Sequence, residues 1–183
     1  GNALQKFLDD WNARYDEDVC MAHEVFHSVG YHSRVASGTI VHPTRENLNY
    51  AVLLLRTGGS RLIERGEKII QAVLKTQDPN PTSKTYGIFP WLLEEPLDAM
   101  SPPDWNWADF CGAALAHVLI EHDRKIGQDL SDAIRTGLGH AAWSIFRRNV
   151  GPDYTNITVM GSGITLIAGE LLGEARLVTY GRQ

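Results

Sequence analysis

Two adjacent glycines, Gly58-Gly59, separate two segments whose apolar residues recur with a helical period, and this arrangement constrains the chain more than any other feature. Downstream, residues 60–77 put Leu62, Ile63, Ile69, Ile70, Val73 and Leu74 on one face, with Ser60 a suitable N-cap. Upstream, Pro43-Thr44 opens a segment through Leu55 that carries Leu48, Ala51, Val52 and Leu55. So short a link, built of residues free to enter left-handed backbone, forces the two helices back against each other.

The pattern returns. Residues 108–123 lead by way of Gly127 into residues 129–148, and Gly151-Pro152 turns the chain into residues 155–172, ended by Gly173. An opening helix over residues 2–15 carries Leu4, Phe7, Leu8 and Trp11. Short extended pieces fit only around residues 35–41. The expected fold is therefore all-α, a single domain over residues 1–183 built of antiparallel helical hairpins, with Gly137-Leu138-Gly139 read as close helix packing.

At 183 residues, 43% of them hydrophobic and 21% charged, the chain can bury one core of ordinary size. A net charge of −5 offers no basic footprint for phosphates, so no nucleic-acid partner is expected. Cys20 and Cys111 share no CxxC spacing and read as free thiols. No stretch approaches the roughly 18 to 20 continuous apolar residues of a membrane span, so no membrane partner is expected and the chain is expected to be soluble. Gly1-Asn2-Ala3-Leu4-Gln5 has none of the basic, apolar and small-residue order of a signal peptide.

Two connections are long, residues 16–43 and 78–105. Loops beyond about 12 to 15 residues are uncommon in compact domains and often carry function. The second holds Tyr86, Phe89, Trp91 and Trp105 with several prolines and the acids Glu94, Glu95, Asp98 and Asp104. Sugar faces stack on such rings while carboxylates and amides bind hydroxyls, so a carbohydrate ligand fits; packing onto the helices beneath accounts for the same residues.

The stretches Phe26-His27-Ser28-Val29-Gly30-Tyr31-His32-Ser33-Arg34, His42-Pro43-Thr44-Arg45-Glu46, Ser101-Pro102-Pro103-Asp104-Trp105-Asn106-Trp107-Ala108-Asp109-Phe110-Cys111-Gly112 and Arg147-Arg148-Asn149-Val150-Gly151-Pro152-Asp153-Tyr154-Thr155-Asn156-Ile157 together resemble microbial proteins of the (α/α) toroid fold. The resemblance implies part of an (α/α)6-toroid-like array, with the remainder supplied by a missing C-terminal half or by a homo-oligomer. Trp105-Asn106-Trp107 is similar to the Asn-Trp-Trp pattern of chondroitin AC-type lyases, without the second tryptophan directly after Trp107. Thr155-Asn156, followed by Gly161 and Ala168, is similar to the Asn-Asn-His helix of heparinase II/III-like lyases, without the histidine.

This resemblance implies a polysaccharide lyase or a glycoside hydrolase, acting without a cofactor on a polysaccharide or oligosaccharide that carries uronates in the lyase case. For β-elimination, Asn106 or Asn156 at a helix start would neutralise the uronate carboxylate. Tyr31, His32 or Tyr154 would take the proton, and Arg34 or Arg45 would orient the acid. Trp91, Trp105, Trp107 and Asp104 would bind the sugar. A hydrolase would draw its carboxyl pair from Glu94, Glu95, Asp104 and Asp109. Each asparagine is equally an ordinary helix cap, and a carbohydrate-binding or assembly module without turnover needs the same rings.

One further pattern stands apart. His23-Glu24-Val25-Phe26-His27 spells H-E-x-x-H, which on a helix places two imidazoles one turn apart on zinc. His23 and His27 are thus metal candidates for a zinc metalloprotease, although Ser33 stands where the extended motif needs its third histidine. His117, His122 and His140 read as packing histidines.

Overall fold

The helical periods of the sequence become helices in the computed structural model, which describes residues 2–28 and 30–183. The chain is mainly α-helical: α1 (Asn2–Ala13), α2 (Thr44–Thr57), α3 (Ser60–Leu74), α4 (Asn106–Glu121), α5 (Gln128–Arg148), α6 (Thr155–Leu172) and α7 (Ala175–Gly181). Among the described residues four two-residue strands, β1 (Tyr15–Asp16), β2 (Met21–Ala22), β3 (Glu24–Val25) and β4 (Ile40–Val41), lie between α1 and α2. The backbone contacts cluster into two compact units: Gly1–Thr76 with Pro90–Pro103, and Gln77–Phe89 with Asp104–Gln183. The long connection between α3 and α4 is thus shared, its first half in the second unit and most of its second half in the first.

In the first unit, α2 and α3 pack together as the Gly58-Gly59 link requires. A Cβ on Gly58 would stand 2.7 Å from the Leu54 carbonyl oxygen, so that position has no room for a side chain, whereas Gly59 faces open space and neither glycine turns left-handed. Leu48, Leu54, Leu55, Ile69 and Ile70 are fully buried. Helix α1 closes against α2 through Trp11, whose ring lies 5.5 Å from that of Tyr50. Of its apolar stripe, Leu8 and Trp11 are buried while Leu4 and Phe7 stay exposed.

Two antiparallel hairpins occupy the first long loop, β1 with β2 and β3 with β4. Asn47 ties the first hairpin to α2: its amide accepts from Ala22 N–H at 2.7 Å and donates to the carbonyls of Ala22 and Pro43. The second hairpin packs Phe26 and Val41 on Leu92. Thr44 joins in by donating its hydroxyl to the Pro90 carbonyl at 2.7 Å.

The second unit packs α4, α5 and α6 in mutual contact with α7 against α5 and α6, and small residues set the spacing. Gly112 of α4 meets Ile164 of α6, and Gly139 of α5 meets Leu172. A Cβ on Gly169 would stand 2.6 Å from the Val178 nitrogen, so α7 can lie against α6 only because that side chain is missing. Gly87 adopts φ +78°, and a Cβ there would stand 2.2 Å from the His140 carbonyl oxygen. Gln77 donates its amide to the carbonyls of Gly87 and Gly137, which binds the incoming segment to α5.

Helix α6 has no continuous apolar run, yet its 18 residues reach a mean hydropathy of 1.2, long and apolar enough by length and composition to cross a bilayer. Only 33% of it is buried. Val159 and Ile120, at 68% and 57% exposure, flank an apolar groove between α4 and α6.

Candidate functional site

The candidate residues divide between the two units, and the second brings three polar side chains into one array. Asp104 is buried, and its Oδ1 accepts the backbone N–H of Asn106 at 2.9 Å. Asp104 therefore does the capping at the start of α4, which frees the Asn106 amide. That amide donates through Nδ2 to the Tyr154 hydroxyl at 3.2 Å and accepts at Oδ1 from Arg148 Nη1 at 2.5 Å. Asn106 itself is only 7% exposed, whereas Tyr154 and Arg148 reach the surface.

A cleft of about 280 Å³ adjoins Arg148, lined by Ser83, Lys84, Tyr86, Trp105, Ser144, Arg147 and Arg148. Its position follows from local chemistry. Trp105, half-buried, donates its indole N–H to the Lys84 carbonyl at 3.0 Å, which turns the ring toward the loop. Tyr86 pairs its hydroxyl with His140 Nδ1 at 2.9 Å while the Arg147 guanidinium lies 4.5 Å over its ring. Burial raises the Tyr86 phenol and lowers His140, so both are neutral in this pair. Arg147 and Arg148 end α5, where cations also meet the negative end of the helix dipole. Three cations and two aromatic rings in one cleft, in a chain of net charge −5, suit a planar or ring-shaped anion.

Asp109 lies one helical turn after Asn106 and is 2% exposed. Its Oδ1 has no hydrogen-bond partner. Burial raises this carboxyl to about 7, against the opposing pull of Arg148.

Two second-unit candidates behave otherwise. Trp107, expected to stack on sugar, is buried at 5% exposure with its ring 5.2 Å from Phe110, so it is a core residue. Asn156 is exposed on the first turn of α6 and makes no side-chain hydrogen bond among the described residues.

In the first unit Tyr31 is exposed, its ring edge-on to His32 at 4.6 Å and to Trp91 at 6.2 Å. His32 holds a left-handed φ of 50° and binds the Pro102 carbonyl through Nδ1 at 2.9 Å. Arg34 donates its backbone N–H to Glu95 at 2.8 Å and its guanidinium to Ser101 at 3.2 Å. Arg45 donates twice to Glu46, its sequence neighbour. Trp91 is half-buried against Phe26, at 5.3 Å.

Glu94 does not fit the part of a general acid. Burial raises its carboxyl, but hydrogen bonds and charge from His42 outweigh that and hold it below the ordinary glutamate value. An acid catalyst needs the opposite shift. His42 is buried between Glu94, which bonds its Nδ1, and Asp16, 3.3 Å from its Nε2. The Glu94 hydrogen bond raises His42 more than burial lowers it.

The H-E-x-x-H pattern is not helical. Glu24 and Val25 form β3, paired with Val41 and Ile40 of β4, so His23 and His27 are not stacked one turn apart. His23 turns its ring toward His42, 6.2 Å away, and His27 is exposed. Among the described residues no three His, Cys, Asp or Glu side chains are grouped to hold a metal ion. Neither cysteine is in a disulfide, Cys111 being buried and Cys20 half-buried.

A family model described as a domain of unknown function, DUF8769, matches residues 15–183. The chain belongs to this family. No curated protein and no solved structure matches it. The match begins at Tyr15, so the DUF8769 domain includes both hairpins, the Asn106 array and the cleft.

Sequence reasoning missed Arg148, Lys84 and the Tyr86–His140 pair as parts of one site. A double arginine at a helix C-terminus was the available signal, and dipole complementarity explains it as well.

Proposed function

We propose that the protein is carbohydrate-active and that its second unit engages an acidic polysaccharide or oligosaccharide, with β-elimination as the reaction. One observation carries the reading: Arg148, which lines a cleft walled by Trp105 and Tyr86, bonds the Asn106 amide, which in turn bonds the Tyr154 hydroxyl. Aromatic walls receive sugar faces, and the cations receive the uronate carboxylate.

In this reaction Arg148 and Asn106 neutralise the carboxylate, which acidifies the proton alpha to it. Tyr154, acting as its phenolate with the oxygen held by the Asn106 amide, takes that proton and becomes the phenol. The electron pair forms the ring double bond, the glycosidic bond to the neighbouring oxygen breaks, and the departing oxygen takes up a proton from water.

The hydrolytic alternative loses Glu94, which is held below the ordinary range, and Asp109, whose carboxyl is raised, is buried and does not line the cleft. A binding or assembly module without turnover is favoured by a different observation: both ends of the Asn106 amide are already satisfied within the protein. The apolar groove beside Val159 and Ile120 adds a surface on which such a module would assemble.

Incubation with polygalacturonate and with glucuronate-containing polymers, followed by the ultraviolet absorbance of the unsaturated product, tests the proposal. Elimination gives rising absorbance that Tyr154→Phe removes. Binding with no absorbance supports the module. Neither binding nor product overturns the carbohydrate reading.

A further inference from the structure

Asp109 is the buried titratable group that the elimination chemistry leaves unused. Its surroundings are closed: α6 lies so near that a Cβ on Gly161 would stand 3.1 Å from Asp109 Oδ1 and 2.9 Å from Ile145. The oxygen has no hydrogen-bond partner, and the residue is 2% exposed. A carboxylate in such a place is so costly that the group keeps its proton instead. Burial accordingly raises its carboxyl from 3.8 to about 7.

Three groups act on its charge besides burial: Arg148 of α5, bonded to Asn106 one helical turn before Asp109, lowers the carboxyl, Asp104 from the segment before α4 raises it, and the Tyr180 phenol of α7 is raised by burial and by Asp109. Helix α6 presents Gly161, which has no charge. Arg148 is the one cation among them, and it is the same guanidinium that bonds Asn106 and lines the cleft.

The two states of Asp109 therefore give two different clefts. As a carboxylate it offsets the charge of Arg148 and repels an arriving anion. As a neutral acid it leaves the guanidinium free to bind one. An anion at Arg148 adds a like charge near Asp109 and engages the cation that had opposed protonation, and both effects favour the protonated form.

We propose that an anionic group binding at Arg148 brings a proton with it, taken up at Asp109, so that Asp109 is the positioning residue that sets the anion affinity of the cleft. Only the identity of the anion as a sugar acid rests on the function proposed above. The step is a proton uptake from solvent with no other bond made or broken.

The test uses the full chain with two probes, sulfate and a galacturonate trisaccharide, by calorimetry in buffers of different ionisation heat between pH 6 and 8.5. Wild type is expected to take up as much as one proton per anion, and its affinity to fall by up to about tenfold per pH unit above 7. Asp109→Asn is expected to bind with no proton uptake and a flat profile. Arg148→Gln is expected to lose both probes and, with no ligand present, to raise the pH at which the Asp109 carboxyl carbon titrates by NMR. This last measurement does not need Asp109→Asn to fold.

Binding to wild type without proton uptake, an unmoved Asp109 titration in Arg148→Gln, or no binding of either anion at pH 6 overturns the proposal. Proton-linked sulfate binding with no galacturonate binding supports it and removes the carbohydrate reading. Galacturonate cleaved with no proton uptake does the reverse.

Discussion

His42 in the first unit and Asp109 in the second are both buried ionisable side chains, and their surroundings treat them oppositely. His42 is enclosed by two carboxylates, Glu94 and Asp16, and gains charge. Asp109 has an orphan oxygen, and burial raises its carboxyl toward the protonated form. A buried group either acquires partners for its charged form or gives up the charge. The first outcome belongs to joints that hold segments together; the second leaves a group whose state can respond to a ligand.

The pH dependences follow with definite signs. His42 is raised from 6.5, so its contribution to stability is complete below that pH and is lost as pH rises through the folded value. Glu94 is lowered from 4.5, so its share is present above that value and lost as pH falls through the folded one. Asp109 is raised from 3.8 to about 7, so the native state binds the extra proton between those values and is progressively destabilised as pH rises across them.

Four measurements break or sharpen the contrast. The largest effect is expected from Asn47→Ala, which strips the Ala22 N–H and two carbonyls of their buried partner; about 3 kcal/mol should be lost by denaturant unfolding. A loss below about 1 kcal/mol would mean that water replaces the amide and that the first unit's polar joints are not closed.

His42→Ala comes next. Glu94 keeps part of its access to solvent, with 30% of its side chain exposed, so screening reduces the expected cost to about 2 kcal/mol at pH 6. The gap from wild type should narrow as pH rises and His42 loses its proton, and a gap independent of pH would show packing rather than charge to be the cause.

Asp109→Asn is smaller because two effects oppose. The substitution removes the cost of ionising a buried acid but leaves an amide with few partners, for a net gain of about 1 kcal/mol above pH 8. Below pH 4 it should give no gain. Thermal melts at the two pH values decide it, and a gain at acid pH would contradict a neutral Asp109.

Asn156→Ala should change stability by less than about 0.5 kcal/mol and leave anion binding intact, since the side chain is exposed and makes no hydrogen bond among the described residues. Loss of binding would move the candidate site to the start of α6.

Much of the fold was legible before any coordinates. The apolar period over residues 60–77 and the Gly58-Gly59 link are local properties, and α2 and α3 follow from them. Helix α7 was not legible, because seven residues hold too few turns for a period to stand out. Nor was the strand at Glu24–Val25, where pairing with Ile40–Val41 overrides a pattern that on a helix would have suggested zinc. In the candidate site, the residue types of Asn106 and Tyr154 were readable but their contact across 48 positions was not.

The sequence by itself determined the helical class, the tight α2–α3 turn and the residue types that could bind a sugar acid, since these depend on near neighbours and on backbone freedom. Tertiary structure alone decided that Asp104 caps α4 while Asn106 is left to bond Tyr154 and Arg148, that Trp107 is core while Trp105 lines a cleft, and that Asp109 has no partner for one oxygen. The physical reason is that burial and hydrogen-bond pairing are set by segments distant along the chain, and those same two quantities decide the protonation state and reach of a polar side chain.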